Sequence, residues 1–283
     1  MEIHCNRSLK DYSTFKIGGI AEQLIEVKTV GEATQALDYA RKNHLRWVVI
    51  GKGSNTLFSD QTFQGLAIVN LIAHFENRGD SFQVGAGFSF AYLGIKSARL
   101  GFSGLEFASG IPGSVGGAVY MNAGAMGHET QAPLQSVLFL EDSGRLRHFT
   151  RSELTFRYRY SSFQEMSGMI LEATFKLQPN PSAQKIQQEM LAKRIKTQPY
   201  SDPSIGCFFK NPSPTLSAGQ LIDQCGLKGL SVGGAEISMT HANFIVNKHS
   251  ASASDVVMLK SLVQQKVLEK TGIVLEEEVS LWK

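Results

Sequence analysis

Runs of hydrophobic residues alternate with polar segments along the chain in a pattern that predicts short strands and a few helices. Residues 47–50 (WVVI) form a continuous apolar run, which is typical of a buried strand. Further strands are predicted at residues 24–27, 66–71, 82–86 and 169–177, and a hairpin at 136–141 and 145–149. Because short strands are mixed with helices, the pattern indicates the α+β fold class.

Helices are predicted where apolar residues recur at spacings of three and four positions. One begins after Thr29, which has the capping-box spacing from Glu32. Others are predicted at residues 92–100, 218–225 and 254–270, ended by Gly101, Gly226 and Gly272. The face of the 254–270 helix that is expected to enter a core consists of Val256, Leu259, Val263 and Val267.

The Pro-Asn-Pro sequence at residues 179–181 interrupts this pattern and is the predicted domain boundary. Residues 1–180 are expected to form one domain with two α+β subdomains, about 1–72 and 73–180. A helix capped by Ser182 follows, with Ile186, Met190 and Ile195 as its apolar face. Residues 195–283 are predicted to form a smaller α/β domain that ends in a strand at 278–282.

Two glycine-rich loops lie between the predicted elements. Residues 110–125 (GIPGSVGGAVYMNAGA) contain five glycines, and residues 51–56 (GKGSNT) follow the strand at 47–50. Successive backbone N–H groups in such loops form a concavity that binds anions such as a pyrophosphate. Pro112 fixes its own φ and Gly113 can take a positive φ, which predicts a tight turn.

Neither loop fits the common nucleotide-binding motifs. Position 56 is Thr where the Rossmann fingerprint needs its third glycine, and no Walker sequence ends a loop of the right length. The pair therefore indicates another way of holding a dinucleotide. The alternative for residues 110–125 is a glycine-rich turn before a buried strand.

Composition and charge exclude several classes of function. The net charge of +3 is too small to indicate nucleic-acid binding, although it suits an anionic small substrate. Cys5, Cys207 and Cys225 are odd in number and show no metal-type pairing, which predicts reduced thiols in a cytoplasmic protein without a metal site. No signal-peptide core is visible, and no apolar run approaches the ~20 residues that span a bilayer.

Taken in order and at their separations, the motifs resemble those of the UDP-N-acetylenolpyruvoylglucosamine reductase family. The matching motifs are TFKIGG at 14–19, GKGSN at 51–55, GIPGSVGGA at 110–118, YR at 158–159, FFKNP at 208–212, GG at 233–234 and EV at 278–279. The resemblance covers essentially the whole chain. It implies an FAD-binding domain of the vanillyl-alcohol-oxidase type followed by a substrate-binding domain, in the shorter form of the family that lacks a tyrosine-bearing insertion.

The family resemblance also implies an activity, namely the reduction of UDP-N-acetylglucosamine enolpyruvate to UDP-N-acetylmuramate in peptidoglycan synthesis. FAD is expected to bind non-covalently, NADPH to serve as co-substrate, and the protein to be a monomer without a nucleic-acid or membrane partner. Both glycine loops would lie along the FAD pyrophosphate. The residues implied to bind FAD are Gly51, Lys52, Gly53, Ser54, Asn55, Thr56, Gly110, Ile111, Pro112, Gly113, Ser114, Gly116, Gly117, Ala118, Asn122 and Gly124.

Three catalytic residues are implied by the resemblance. Arg159 and Glu278 would stabilise the enolate that forms when a hydride passes from FAD N5 to C3 of the substrate. The family usually has serine as the proton donor to C2, and Cys207 occupies that position here. Without the resemblance, Arg159 is equally an exposed arginine, Cys207 a core residue, and Glu278 one of three solvated acids.

Substrate contacts are implied for Tyr158, Asn211 and His241, each of which alone could be an ordinary surface residue. An FAD-dependent oxidase of the same fold would account for the glycine loops but not for Arg159, Cys207 and Glu278 together. A non-catalytic flavin-binding protein is indicated only by the change from serine to Cys207. The sequence does not distinguish NADPH from NADH.

Overall fold

A computed structural model describes residues 2–282 of the chain. Two units, each built from discontinuous segments, account for these residues. The first unit comprises residues 2–5, Gln23–Lys52 and Gly65–Arg194, and the second comprises Asn6–Glu22, Gly53–Gln64 and residues 195–282. The second unit therefore contains the predicted C-terminal segment together with two segments from the first quarter of the chain.

A four-stranded sheet has the strand order His4–Ser8, Ile20–Val27, Phe63–Asn70 and Trp47–Ile50. The last two strands are parallel, and the helix Val30–Lys42 precedes Trp47–Ile50. The predicted capping box is confirmed, because Thr29 Oγ1 accepts a hydrogen bond from the Glu32 N–H and the Glu32 carboxylate accepts one from the Thr29 N–H. The helix buries one face, made of Ala33, Ala36, Leu37 and Ala40.

The first unit contains a five-stranded antiparallel sheet. Its strand order is Leu146–Thr150, Leu134–Glu141, Gly168–Lys176, Ser81–Gly85 and Phe75–Arg78. The predicted hairpin is confirmed, with Gly144 at φ +87° in its turn. The helices Phe90–Arg99 and Val115–Tyr120 pack with this sheet around a phenylalanine-rich core.

Short strand pairs complete the first unit. They are Phe102–Ser103 with Gln178–Pro179, Gly124–Ala125 with His128–Glu129, and Phe156–Arg157 with Tyr160–Ser161. Single 3-10 turns lie at Leu9–Tyr12, Glu106–Gly110, Arg151–Glu153 and Ser162–Glu165.

The second unit is built on a four-stranded antiparallel sheet. Its strand order is Ser204–Cys207, Phe244–Asn247, Ala235–Ile237 and Ser231–Val232. The helices Ala218–Gln224 and Ala253–Thr271 end before Gly226 and Gly272, whose φ angles are +71° and +72°. The predicted core face of the long helix is confirmed, since all four of its residues are fully buried. Ser280–Trp282 pairs in parallel with Thr56–Phe58.

The helix Ala183–Thr197 forms as predicted, and Met190 of its predicted apolar face packs against the phenylalanine-rich core, but the face is buried only in part. Ile195 is 55% exposed, and Ile186 and Met190 are only half-buried. The buried residues of this helix are Ala183 and Gln187, which lie one turn apart. Ile195 falls off that stripe, so its side chain does not enter a core.

No helix within residues 2–282 combines the length and the apolar character that a bilayer crossing needs. Within the same residues, no group of three or more His, Cys, Asp or Glu side chains is arranged to hold a metal ion.

Candidate active site

The first glycine loop, residues 51–56, leaves the end of the strand Trp47–Ile50. Gly53 has φ +57°, and a Cβ there would overlap the carbonyl oxygen of Tyr12. Its own carbonyl is turned into the protein, where it accepts hydrogen bonds from the N–H of Thr14 at 3.3 Å and from the hydroxyl of Ser13 at 3.4 Å. Only glycine fits this position.

The backbone N–H groups of Gly53, Ser54 and Asn55 donate to no acceptor within residues 2–282. A run of adjacent N–H donors of this kind favours a bound anion. In the first loop these three adjacent donors face no acceptor of the described residues, so their prediction as FAD ligands stays a prediction.

The predicted tight turn is present in the second glycine loop, although Gly113 does not take a positive φ. The Gly113 N–H donates to the carbonyl of Ile111 at 2.8 Å, which closes a three-residue turn over Pro112. The N–H groups of Val115 and Gly116 donate to the carbonyls of Phe88 and Ala86, at 2.9 and 2.8 Å.

These donors have acceptors because the preceding strand and loop, residues 81–89, run beside the second loop. The Gly117 N–H also has a partner, the hydroxyl of Ser114 at 3.3 Å. These N–H groups therefore already have acceptors within the protein, unlike those of the first loop.

Glycine nevertheless matters in the second loop, because it keeps the surface bare. A Cβ added to Gly117 would have only Ser114 Oγ within 4 Å, at 3.3 Å, and otherwise points into open space. A Cβ added to Gly51 would overlap the same Ser114 Oγ. Gly51 and Ser114 thus bring the two loops into contact, and a flat, polar group could lie over Gly117.

Other predicted FAD residues are placed inside the protein. Ala118 is 3% exposed and belongs to the core around the five-stranded sheet. Asn122 is fully buried, and its Nδ2 donates to Glu129 Oε2 at 3.0 Å and to the carbonyl of Arg157 at 2.9 Å. Gly124 pairs with Glu129 in a short hairpin.

Arg159 lies in the turn between Phe156–Arg157 and Tyr160–Ser161. Its φ is +56°, and its Nη2 donates to the carbonyl of Gly124 at 3.3 Å. The guanidinium carbon lies 4.9 Å from the centre of the Tyr158 ring, which is 45% exposed. A permanently charged, half-buried guanidinium that is held by a carbonyl and an aromatic face is suited to stabilising a negative charge.

In the second unit, Cys207 ends the strand Ser204–Cys207 and pairs with Phe244. Gly206, with φ +83°, lies at an irregularity in the register just before it. The N–H of Glu278 donates to the carbonyl of Phe208 at 2.9 Å. The structure therefore brings the backbones of Cys207 and Glu278 onto neighbouring segments.

The three acids at 276–278 differ in their surroundings. Glu276 is exposed and lies 3.6 Å from Lys210 Nζ, whereas Glu277 forms a 2.7 Å ion pair with the largely buried Lys260. Glu278 is half-buried, and its carbonyl accepts a hydrogen bond from Asn55 Nδ2 at 3.1 Å.

The predicted substrate residues of the second unit lie at the ends of elements. Asn211 Oδ1 accepts a hydrogen bond from the Ala218 N–H at 3.1 Å, at the start of the helix Ala218–Gln224. His241 Nδ1 accepts one from the Asn243 N–H at 3.2 Å, and its ring meets the edge of Phe244 at 4.9 Å between centroids.

Asn243 is a further residue of this region, and no motif or periodic pattern in the sequence distinguishes it. It is 3% exposed, and its side chain bridges both polar groups of Phe209, accepting from the N–H at 2.9 Å and donating to the carbonyl at 2.8 Å. Its carbonyl also accepts from the Phe208 N–H at 2.7 Å. The only available signal is its position two residues after His241.

Two families match parts of the chain. Residues 21–150 match the family described as FAD binding domain, and residues 198–282 match the family described as UDP-N-acetylenolpyruvoylglucosamine reductase, C-terminal domain. Over 275 residues the chain is 48% identical to the UDP-N-acetylenolpyruvoylglucosamine reductase of Protochlamydia amoebophila (strain UWE25), which covers 97% of this chain and 92% of the relative.

The chain belongs to the UDP-N-acetylenolpyruvoylglucosamine reductase family. A second member, from Chlamydia abortus (strain DSM 27085 / S26/3), is 46% identical over 274 residues, covering 96% of this chain and 92% of the relative. The crystal structure of UDP-N-acetylenolpyruvylglucosamine reductase from Thermus caldophilus is 37% identical, with a TM-score of 0.86 and full coverage of both chains.

Membership of this reductase family confirms the resemblance seen in the sequence and the α+β fold with an FAD-binding domain before a C-terminal domain. The protein is an oxidoreductase and a flavoprotein.

Proposed function

We propose that this member of the reductase family uses NADPH and non-covalent FAD to reduce UDP-N-acetylglucosamine enolpyruvate to UDP-N-acetylmuramate. The observation that supports the proposal most directly is the 48% identity to a named reductase over 97% of the chain. The placement of Cys207 and Glu278 on hydrogen-bonded segments agrees with it. As the substrate is a small nucleotide sugar, no nucleic-acid or membrane partner is needed.

The residues present fit FAD in one respect. The uncovered N–H groups of Gly53, Ser54 and Asn55 suit the two negative charges of its pyrophosphate. In the first unit, the surface over Gly117 is bare. We assign these residues to FAD binding. When bound, FAD supplies the hydride that reaches C3 of the enolpyruvyl group.

Arg159 acts on the charge that this transfer creates. As C3 gains the hydride, negative charge spreads over C2 and the adjacent carboxylate of the substrate. A preorganised cation at that place is worth more than the same cation in water, because it needs no reorganisation. Gly124 and Tyr158 keep the Arg159 guanidinium in a single place for this purpose.

Cys207 and Glu278 complete the reaction. The Cys207 Sγ–H bond breaks, its proton passes to C2, and the thiolate regains a proton from water before the next turnover. A thiol has a reference pKa of ~8.5, so it is protonated at neutral pH and gives up its proton more readily than an alcohol. Glu278 interacts with the substrate carboxylate and shares a proton with it, since like charges at close range do not all ionise.

Anaerobic mixing experiments test the proposal. NADPH should bleach the flavin absorbance, and only enolpyruvyl-UDP-N-acetylglucosamine should then restore it, with UDP-N-acetylmuramate detected by mass spectrometry. In D2O the product should carry deuterium at C2. Recolouring only by oxygen would favour the oxidase alternative, and a flavin that neither nucleotide bleaches would favour a binding protein. A parallel series with NADH determines the nucleotide preference.

A further inference from the structure

The left-handed backbone of Arg159 requires support from its surroundings. Residues other than glycine rarely take a φ near +56°, and they do so where neighbouring contacts hold them. The turn that carries Arg159 is joined to strands of only two residues each. This hydrogen-bonded strand pair is too short to fix the Arg159 guanidinium by itself. Contacts from other segments must therefore do so.

Gln164 makes two such contacts with a single amide group. Its Nε2 donates to the carbonyl of Arg159 at 3.1 Å and to the carbonyl of Tyr120 at 3.0 Å. An amide nitrogen has two hydrogens, and both are used. The hydroxyl of Ser161 donates to the same Tyr120 carbonyl at 2.6 Å. The arginine turn is thereby tied to the end of the helix Val115–Tyr120, whose first turn contains Gly116 and Gly117.

Asn122 holds the same turn from its other side. Its Nδ2 donates to the carbonyl of Arg157, and its Oδ1 accepts from the Gln131 N–H at 3.1 Å. The Gly124 carbonyl then accepts from the guanidinium itself. Residues 157 and 159 are each bound to the segment 120–124, so the helix carries the second glycine loop at one end and the arginine at the other.

We infer that Gln164 is a positioning residue for Arg159. By joining the Arg159 carbonyl to the helix end, it fixes the guanidinium where negative charge develops on the substrate. This inference rests on the proposed function, because it acts through the role of Arg159 in the second half-reaction. It assigns to Gln164 no part in the reduction of the flavin by NADPH.

The test uses variants that separate donors from volume. Gln164→Met keeps a side chain of similar length but removes both hydrogen-bond donors. Gln164→Lys restores donor hydrogens at a similar reach. Gln83→Met is the matched control, since Gln83 is a half-buried glutamine of the same unit whose Nε2 donates to Glu172 at 2.7 Å, away from the arginine turn.

For each holoenzyme we would measure FAD content, melting temperature, the rate of flavin reduction by NADPH, the rate of reoxidation by substrate, and the substrate Kd. Gln164→Met should slow reoxidation by about 10-fold or more, because misplacing a charged group by about 1 Å has effects of this size or larger. Flavin reduction and FAD content should stay at the wild-type values. Gln164→Lys should recover most of the loss, and Gln83→Met should leave both rates unchanged.

The Arg159→Ala background decides between a positioning role and a general structural one. There, Gln164→Met should slow reoxidation no further, because the group it positions is gone. Three outcomes would overturn the inference: Gln164→Met slows reoxidation equally with and without Arg159, slows both half-reactions equally, or leaves the reoxidation rate unchanged. If Gln164→Met does not fold, Gln164→Asn, which keeps the donors but shortens their reach, is subjected to the same comparison.

The proposed function can fail separately. If Arg159→Ala alone leaves reoxidation unchanged, the role proposed for Arg159 is wrong whatever Gln164 does. If Arg159→Ala slows reoxidation but Gln164→Met does not, only the positioning role is wrong.

Discussion

The N–H of Glu278 donates a hydrogen bond to the carbonyl of Phe208, which places Glu278 opposite the residue that follows Cys207. The other polar group of the Glu278 backbone, its carbonyl, is held by Asn55 Nδ2. Glu278 is therefore fixed on both sides of its peptide backbone, while its neighbour Glu277 is tied to Lys260. This arrangement separates three adjacent acids that look alike in the sequence.

Glu278→Gln should slow substrate-driven reoxidation of the flavin by about 10²-fold, the lower range for loss of an acid–base group. Reduction by NADPH should be unaffected. Glu276→Gln is the matched control, because that carboxylate is exposed and lies two residues before Glu278 in the chain. Stopped-flow absorbance measures both rates. Equal effects of the two substitutions would contradict the assignment of Glu278.

Arg159→Ala should leave flavin reduction by NADPH nearly intact and slow reoxidation by about 10²–10³-fold, as expected for the loss of one preorganised charge partner. Arg157→Ala is a suitable control, since Arg157 is exposed and lies over Tyr160. Stopped-flow traces in which both half-reactions slow equally would count against an enolate-stabilising role.

Cys207→Ser should keep substantial activity, because an alcohol at this position can also donate a proton, whereas Cys207→Ala should turn over slowly at normal flavin content. General-acid catalysis contributes about 10²–10⁴-fold. The thiol should also be alkylated, with protection by bound substrate, and mass spectrometry distinguishes it from the exposed Cys5 and the buried Cys225. Turnover of Cys207→Ala at the wild-type rate would show that another group supplies the proton.

Gly117→Leu should lower FAD occupancy, because its side chain would fill the open surface beside Ser114. We expect the fold to be unaffected, because no neighbouring atom other than Ser114 Oγ lies close to that Cβ position. Gly31→Leu serves as the control, because a Cβ at Gly31 would meet only Thr29 Oγ1, at 3.9 Å, and Gly31 has no positive φ. The ratio of flavin to protein absorbance measures occupancy, and an unchanged ratio would mean that Gly117 only forms a turn.

Asp255→Ala should lower the free energy of unfolding at pH 7 by about 1 kcal/mol, the usual contribution of a helix cap. The backbone N–H groups of Ser252 and Gly234 donate to the Asp255 carboxylate and lower its pKa. A lowered folded-state pKa contributes stability above the unfolded-state value of ~3.9, and this contribution is lost as the pH falls through the folded-state pKa.

Urea titrations of wild type and Asp255→Ala at several pH values measure this difference. The difference in free energy of unfolding between the two proteins should become smaller below about pH 4. Asp11→Ala, at an exposed aspartate, should cost little at any pH. A difference that stays constant into the acid range would contradict the carboxylate's part in the cap.

Local patterns in the sequence predicted the features that depend on nearby residues. Thr29 and Glu32 form their capping box within one helical turn, and Gly272 ends its helix by its own left-handed φ. The valines of the long helix follow helical spacing, so their burial can be predicted from the sequence alone. The family motifs added Arg159, Cys207 and Glu278, which no periodic pattern distinguishes from surface or core residues.

Features that depend on distant partners were not predictable in this way. Gly113 avoids a positive φ, and the N–H groups after it are satisfied by Ala86 and Phe88, about a helix and a loop earlier in the chain. Gln164 and Asn243 act through single amides at positions without any hydrophobic pattern. Phe15 and Leu57 share a core with Val256, a pairing that local spacing cannot reveal.

The parallel pairing of Thr56–Phe58 with Ser280–Trp282 also sets an order of events during translation. The ribosome adds the second strand only after the whole first unit has been made. Until then, Phe15, Ile17 and Leu57 have no core to join, and exposed apolar side chains of this kind favour aggregation. The side chain of Asn55 donates its hydrogen bond to the same late segment, at the carbonyl of Glu278. Glu278 is therefore among the last functional groups to reach its folded position in the nascent enzyme.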